Sequence, residues 1–213
     1  MTLKQTLYKT KTTALSTLTS DPPPSPSALP VKIAPITPPS DMAAVQHSGQ
    51  NYIFFVDSQN RIAYYHGGNV QEYQGGNTYS KVNYLQVRTE DIRVTQLVNP
   101  NNKAIAAVAY TSATGKELRV YYVNPESVIA ELCLSGNSTE WTKGQLLKSK
   151  IKVVEKSCVT ANVNEYGDAD YIKVFVNGAE ADGNLLCLYR QVDAQYPQWN
   201  RSILTGSQYE PVF

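Results

Sequence analysis

From Met42 onward the chain runs in short segments where apolar and polar residues alternate, rich in Val, Ile, Tyr and Phe and parted by Gly, Asn, Asp and Ser. A period of two with turn-forming residues between the segments predicts β-strands, because successive side chains on a strand point to opposite faces. The 3.6-residue period of a helix is nearly absent. Its best candidate is Val128 to Leu134, where β-branched Val128 and Ile129 argue equally for a strand. The domain is expected to be all-β.

Self-comparison sharpens this. Arg61-Ile62-Ala63-Tyr64-Tyr65, Val70-Gln71-Glu72-Tyr73 and Gly75-Gly76-Asn77 repeat the order and chemistry of Arg119-Val120-Tyr121-Tyr122, Ile129-Ala130-Glu131-Leu132 and Ser135-Gly136-Asn137. Arg61 and Arg119 stand 58 positions apart, and so do Trp141 and Trp199, the only two tryptophans. A weaker third copy, Tyr171 to Phe175 with Leu185 to Leu188, puts Lys173 where the arginines stood. Each copy holds four strand candidates; in the second they are Ala104 to Tyr110, Leu118 to Val123, Val128 to Leu134 and Lys143 to Lys148. Four short antiparallel strands per unit of about 40–50 residues describe a propeller blade. A β-sandwich would also give short strands, but it does not predict Arg, Glu and Trp repeated in step.

The expected fold is therefore an all-β domain over 42–213, built of three four-stranded antiparallel β-propeller blades at about 42–90, 91–150 and 151–208. Closed propellers have about 4 to 8 blades, so an arc of three leaves sheet faces to be covered. Closure into a six-bladed ring as a homodimer is the expectation, two-fold symmetry being the commonest. Residues 1–41 differ: Asp21-Pro22-Pro23-Pro24-Ser25-Pro26, followed by Pro30, Pro35, Pro38 and Pro39, holds most of the chain's twelve prolines. This stretch is expected to be an extended, Pro-rich arm, either a flexible tail or a strap.

Charge narrows the function. Lys and Arg number 19 against 18 Asp and Glu, and charged residues make up 17% of the chain, where about 25% is usual. With no basic run to grip phosphates, nucleic acid is not an expected partner. No apolar run approaches the roughly 20 residues of a spanning helix, so membrane insertion is not expected either. The first residues form no secretory h-region, so no export signal is expected and localisation stays open. Cys133, Cys158 and Cys187 sit in apolar runs too far apart for a zinc clip and are expected to be small buried hydrophobes. His47 and His66 lie near turns without a Ser, Cys or Asp partner. No metal or cofactor is expected.

The repeated Arg, Glu and Trp are the candidate chemistry. Arg offers five N–H groups in a fixed fork and Glu accepts on two oxygens, so side by side they can satisfy a group that both donates and accepts. A vicinal sugar diol is such a group, and a Trp beside it offers a flat apolar face to the pyranose. The structural alternatives are inter-strand ion pairs and tryptophans that simply pack between blades.

The run Leu118-Arg119-Val120-Tyr121-Tyr122, with Val128-Ile129-Ala130-Glu131, Gly136-Asn137 and Trp141-Thr142-Lys143-Gly144, resembles the blade repeat of the fungal fucose-specific lectins, which are six-bladed propellers. The resemblance implies fucose sites between adjacent blades, one blade supplying Arg and Glu and the next the stacking Trp. Transferred residue by residue, it implies that Arg61 and Glu72 pair with Trp141, and Arg119 and Glu131 with Trp199. Blade three departs from the pattern, with Lys173 for Arg and no Glu in Leu185 to Tyr189. Tyr79 stands where the first blade's own Trp belongs, and Leu134 replaces the family's aromatic after the Glu strand.

Two functions remain. The first is a carbohydrate-binding lectin that recognises terminal L-fucose on fucosylated glycans without metal, with two sites per chain. The alternative is a propeller-type protein-interaction module with degenerate sugar sites. Glycoside hydrolysis needs two carboxylates flanking one bond, and the repeat supplies one Glu opposite an Arg that keeps it ionised, so an enzyme is not expected.

Overall fold

The computed structural model describes residues 41–47, 49–67, 82–90, 92–166, 169–194 and 198–204. The Pro-rich stretch, Glu72, Gly75 to Asn77 and Tyr79 lie outside the described residues.

Three four-stranded antiparallel sheets follow one another along the chain, each in simple up-and-down order. The first comprises β1 (Met42–His47), β2 (Gln50–Val56), β3 (Ile62–Gly67) and β4 (Val82–Tyr84). A two-stranded hairpin, β5 (Gln86–Thr89) and β6 (Ile92–Thr95), leads to the second: β7 (Ile105–Ser112), β8 (Gly115–Val123), β9 (Ile129–Ser135) and β10 (Thr142–Lys143). The third is β11 (Val159–Tyr166), β12 (Ala169–Asn177), β13 (Leu185–Gln191) and β14 (Asn200–Leu204). These are the blades the repeat predicts. Val128 to Leu134 resolves as strand, not helix.

Two apolar clusters lie between the blades. One joins Phe54, Val56 and Ile62 of blade one to Leu118, Val120, Leu132 and Trp141 of blade two. The other joins Val108, Tyr121 and Ile129 of blade two to Ile172, Val174, Leu186 and Leu188 of blade three. Blade two is thus buried on both faces, which is why β8 has an unbroken buried run from Glu117 to Val123 instead of an alternating one.

Three features depart from expectation. The fourth strand of blade two, expected over Lys143 to Lys148, stops at Lys143 and passes into a 3₁₀ turn, Gln145–Ser149, which seats Leu146 in the core. The β5–β6 hairpin straddles the expected boundary at residue 90. Cys158 is exposed, ahead of β11, while Cys187 is buried and all three cysteines are free thiols.

The repeat itself aligns differently as well. Asp57 to Arg61 and Asn124 to Val128 form the same turn between the second and third strands. Asp57 Oδ1 accepts from the Gln59 and Arg61 amides at 2.8 and 2.9 Å, as Asn124 Oδ1 does from Glu126 and Val128 at 3.1 and 2.9 Å. Asn60 and Ser127 hold the same left-handed φ, 60° and 61°. Arg61 therefore corresponds to Val128, not to Arg119. Counting back along the second strand, the counterpart of Arg119 is Tyr52; counting forward along the third, that of Glu131 is Tyr64. Cross-strand pairing agrees, since Tyr121 opposes Glu131 as Phe54 opposes Tyr64. Along the second and third strands the offset between blades one and two is 67 positions. The match at 58 arose because any strand between two packed blades alternates the same few residue types, so a second strand can imitate a third.

Candidate functional site

Arg119 lies in the middle of β8, on the face turned toward blade three. The residue is only 6% exposed, and its guanidinium is held between two carboxylates. Nη2 approaches Glu117 Oε2 at 2.7 Å, and Nε stands 3.7 Å from Glu131 Oε1. Nη1 donates to Ser135 Oγ at 3.2 Å. Burial opposes the Arg119 charge, but the anionic forms of Cys133 and Tyr110 with the Glu117 and Glu131 carboxylates outweigh it and hold its pKa above the ordinary arginine value. Burial also opposes the Glu117 charge. Hydrogen bonds from Ser135, Thr114 and Ser112 and the nearby guanidinium prevail, and the Glu117 carboxyl titrates below its usual range.

Glu131, 1% exposed, is positioned by its own strand and by the chain that returns past it. The Tyr121 hydroxyl donates to Oε1 at 3.2 Å, the Leu146 amide donates to Oε2 at 3.3 Å, and the Gly144 amide donates to the Glu131 carbonyl at 2.8 Å. A Cβ at residue 144 would collide with the Glu131 carboxylate. Gly144→Ala is accordingly expected to displace Glu131 while leaving every side chain of the site in the sequence. Arg119 then loses one counter-charge, and the measurable result is a lowered melting temperature together with loss of whatever ligand binding depends on Glu131.

Blade three completes the arrangement. The Trp199 ring meets Tyr121 edge-on, with centroids 6.1 Å apart, and the Arg190 guanidinium lies 5.9 Å from the centre of the same indole. Arg119 also lies 5.7 Å from the Tyr110 ring. Burial pushes the Tyr110 phenol and the Cys133 thiol each up to about 12, so both are neutral at physiological pH. Arg119 Nε, Arg190 Nε and Trp199 Nε1 are buried donors with no hydrogen-bond partner among the described residues. Buried polar atoms are rarely left so. The three belong to one run of contacts across this boundary, Arg190 beside Trp199, Trp199 against Tyr121, and Tyr121 and Arg119 both at Glu131.

Sequence reasoning missed Glu117, Tyr110 and Arg190. Glu117 could have been found, since Glu-x-Arg on a strand puts both side chains on one face. Arg190 occupies in blade three the strand position that Leu134 occupies in blade two. Leu134 packs into the cluster facing blade one, so its lack of an aromatic ring does not bear on the Arg119 site.

Between blades one and two the geometry is different. Trp141, 5% exposed, meets Phe54 edge-on at 5.8 Å, the counterpart of Trp199 on Tyr121. Tyr52 and Tyr64, their ring centroids 6.2 Å apart, stand where Arg119 and Glu131 stand. Arg61 is engaged elsewhere: its Nε donates to Asp57 Oδ2 at 2.7 Å, Nη2 donates to the Tyr84 hydroxyl at 2.9 Å, and the guanidinium stacks 4.3 Å from the Tyr84 ring centre. Lys173 does occupy the Arg119 position in blade three, four residues past the closing pair of its hairpin. Among the described residues, no three His, Cys, Asp or Glu side chains gather to hold a metal.

Residues 87–183 match the family model of the fungal fucose-specific lectins. No curated protein sequence matches the chain. Among solved structures, a triple arginine-to-alanine mutant of AofleA from Arthrobotrys oligospora aligns over 78% of this chain and 42% of its own, at 17% identity and TM-score 0.52. The BP39L lectin from Burkholderia pseudomallei aligns over 78% and 43%, at 18% identity and TM-score 0.52. The fucose-specific lectin from Aleuria aurantia, a six-bladed β-propeller, aligns over 76% and 46%, at 18% identity and TM-score 0.50. At these identities the likeness establishes the fold: the chain is part of a β-propeller and spans less than half the length of these structures.

Proposed function

We propose that the chain is a carbohydrate-binding lectin with one fucose site, built between blades two and three from Arg119, Glu131 and Trp199. The observation that carries this reading is a pair of buried donors without a hydrogen-bond partner, Arg119 Nε at Glu131 and Trp199 Nε1 on the ring that meets Tyr121. Hydroxyls of a sugar satisfy both while donating to the carboxylate, and the indole covers the apolar face of the ring. The family match over 87–183 supports it, since that stretch includes Arg119 and Glu131.

Arg61 and Trp141 do not form a second site of this kind in the proposal, because Arg61 is committed to Asp57 and Tyr84; the contribution of Glu72 lies outside the described residues. Retention on fucose-agarose and elution by free L-fucose test the reading. Wild type and Arg61→Ala are expected to be retained equally, with chelator present or absent. No retention of the wild type would reject the proposal.

A second reading rests on the near-complete burial of Arg119 and Glu131: the Glu117–Arg119–Glu131 cluster then acts as an internal brace in a propeller that binds proteins. A glycan array without signal, beside specific capture of a protein partner, would favour it.

The ring is proposed to close with a second copy. Beyond blade three, β12 and β13 turn Phe175 and Tyr189 to the face opposite blade two, and the Aleuria aurantia neighbour is six-bladed. A solution mass of two chains is expected; a stable single-chain mass at micromolar concentration would overturn closure by dimerisation.

A further inference from the structure

We infer that Arg190 is a further ligand-binding residue of the site between blades two and three, a guanidinium that donates to an oxygen of the neutral sugar beside Trp199. The inference rests on the fucose reading of that site. Arg190 stands on β13 opposite Ile172 of β12, and Ile172 lies in the cluster shared with blade two. Paired residues on neighbouring strands point to the same face, so Arg190 is turned toward blade two. Its guanidinium lies 5.9 Å from the centre of the Trp199 indole, and that indole meets Tyr121, whose hydroxyl donates to Glu131.

The equivalent place in blade two shows what packing alone requires. Thr142 opposes Cys133, which sets Trp141 opposite Leu134, and Asn200 opposes Tyr189, which sets Trp199 opposite Arg190. Leu134 packs into the apolar cluster facing blade one. A leucine beside the tryptophan therefore suffices for the scaffold, and blade three has a guanidinium there instead. Arg61, Arg119 and Arg201 each have a carboxylate as partner. Among the described residues Arg190 has none, and its buried Nε has no hydrogen-bond partner. A buried donor left without an acceptor destabilises the free protein and is relieved when a ligand oxygen arrives, so the gain appears in binding and not in folding.

The donor set orients the ligand. A guanidinium and an indole N–H only donate, whereas the Glu131 carboxylate only accepts. Blade three thus calls on a lone pair of the sugar, and blade two, through Glu131, on a hydroxyl proton. A monosaccharide with an oxygen placed for each is held in one orientation. Charge does not select an acid here: the charged groups acting on the Tyr110 phenol are Arg119 and Arg190 against Glu117 and Glu131, and they balance. A neutral, hydroxyl-rich ring suits such a boundary, and a hydrogen bond from a guanidinium is charge-assisted and so stronger than one between neutral groups.

Calorimetric titration of the full chain with methyl α-L-fucoside tests the inference. Arg190→Leu, which places there the residue type found at Leu134, is expected to weaken binding about five-fold or more, as the loss of a hydrogen bond from a charged group requires. Its melting temperature is expected to match or exceed that of wild type, since no hydrogen bond or ion pair within the protein is lost. Arg190→Met, which keeps an apolar stem against the indole, is expected to weaken binding equally. Arg190→Lys is not expected to restore it, because the planar fork is gone. The 2-, 3- and 4-deoxy fucosides, with the analogue that has a methylene for the ring oxygen, identify the acceptor: one of them is expected to lose affinity several-fold with wild type and little with Arg190→Leu. Unchanged fucoside affinity in Arg190→Leu and Arg190→Met would overturn the inference and leave the fucose site standing. So would weaker binding that comes with a lowered melting temperature in both variants, or equal losses across the analogues in wild type and Arg190→Leu. No heat with wild type would reject the fucose reading and this inference with it.

Discussion

Arg119→Ala is expected to abolish retention on fucose-agarose and to destabilise the fold by about 3–5 kcal/mol, the range found when one partner of a buried ion pair is removed. The reason for so large an effect is that Glu117 and Glu131 are both buried and both lean on this one guanidinium. Without it, two carboxylates remain in a low-dielectric gap between blades, served only by hydroxyls and one amide. Urea unfolding measures the loss. Arg119→Lys separates charge from geometry: it returns the positive charge, and with it much of the stability, but not the planar fork, so retention is expected to stay low. Acid provides a second reading of the clamp. The Glu117 carboxyl is held below its ordinary value of 4.5, so its stabilising contribution is complete above that pH and is lost as pH falls through the depressed folded value. Arg119→Ala should flatten this acid limb. A variant as stable and as well retained as wild type would contradict both the clamp and the site.

Much of this architecture was legible in the chain because a propeller repeats itself. The blades, their four strands and the two tryptophans at a spacing of 58 follow from alternation, turn residues and self-comparison. Lys173 at the degraded Arg position follows too, since the β7–β8 and β11–β12 hairpins differ by a constant offset. What misled was blade one. Fourteen residues separate β3 from β4 and only six separate β9 from β10, so a fixed period slides out of step there and Arg61 falls on Arg119 by coincidence. The Asp57 and Asn124 turns carry the correct alignment, but an Asp-to-Asn match at a turn is a weaker sequence signal than an arginine beside tyrosines. Glu117 was legible as Glu-x-Arg on one strand, but Arg190 stayed hidden for another reason. Its role depends on which blade face it occupies and on what the neighbouring blade brings against it, which no single strand encodes.

The two tryptophans, equivalent by spacing, are expected to behave differently when removed. Trp199→Ala should eliminate fucose retention at a modest stability cost, because the ring is partly buried at the edge of its cluster and its indole N–H has no protein partner to lose. Trp141→Ala should leave fucose retention intact in the folded fraction while costing about 3–5 kcal/mol, the range for deleting a large buried aromatic. Trp141 is 5% exposed and packs against Phe54 and Tyr64 in the apolar cluster between blades one and two. Trp199→Phe refines the first result. It keeps an apolar face against Tyr121 but removes the N–H, so weakened yet measurable retention indicates stacking plus a hydrogen bond, and full retention indicates stacking alone. Two equivalent fucose sites per chain would make the alanine variants alike, each halving the number of sugars bound. The exchange of Arg119 and Glu131 for Tyr52 and Tyr64 across one blade boundary is the physical ground for expecting them to differ.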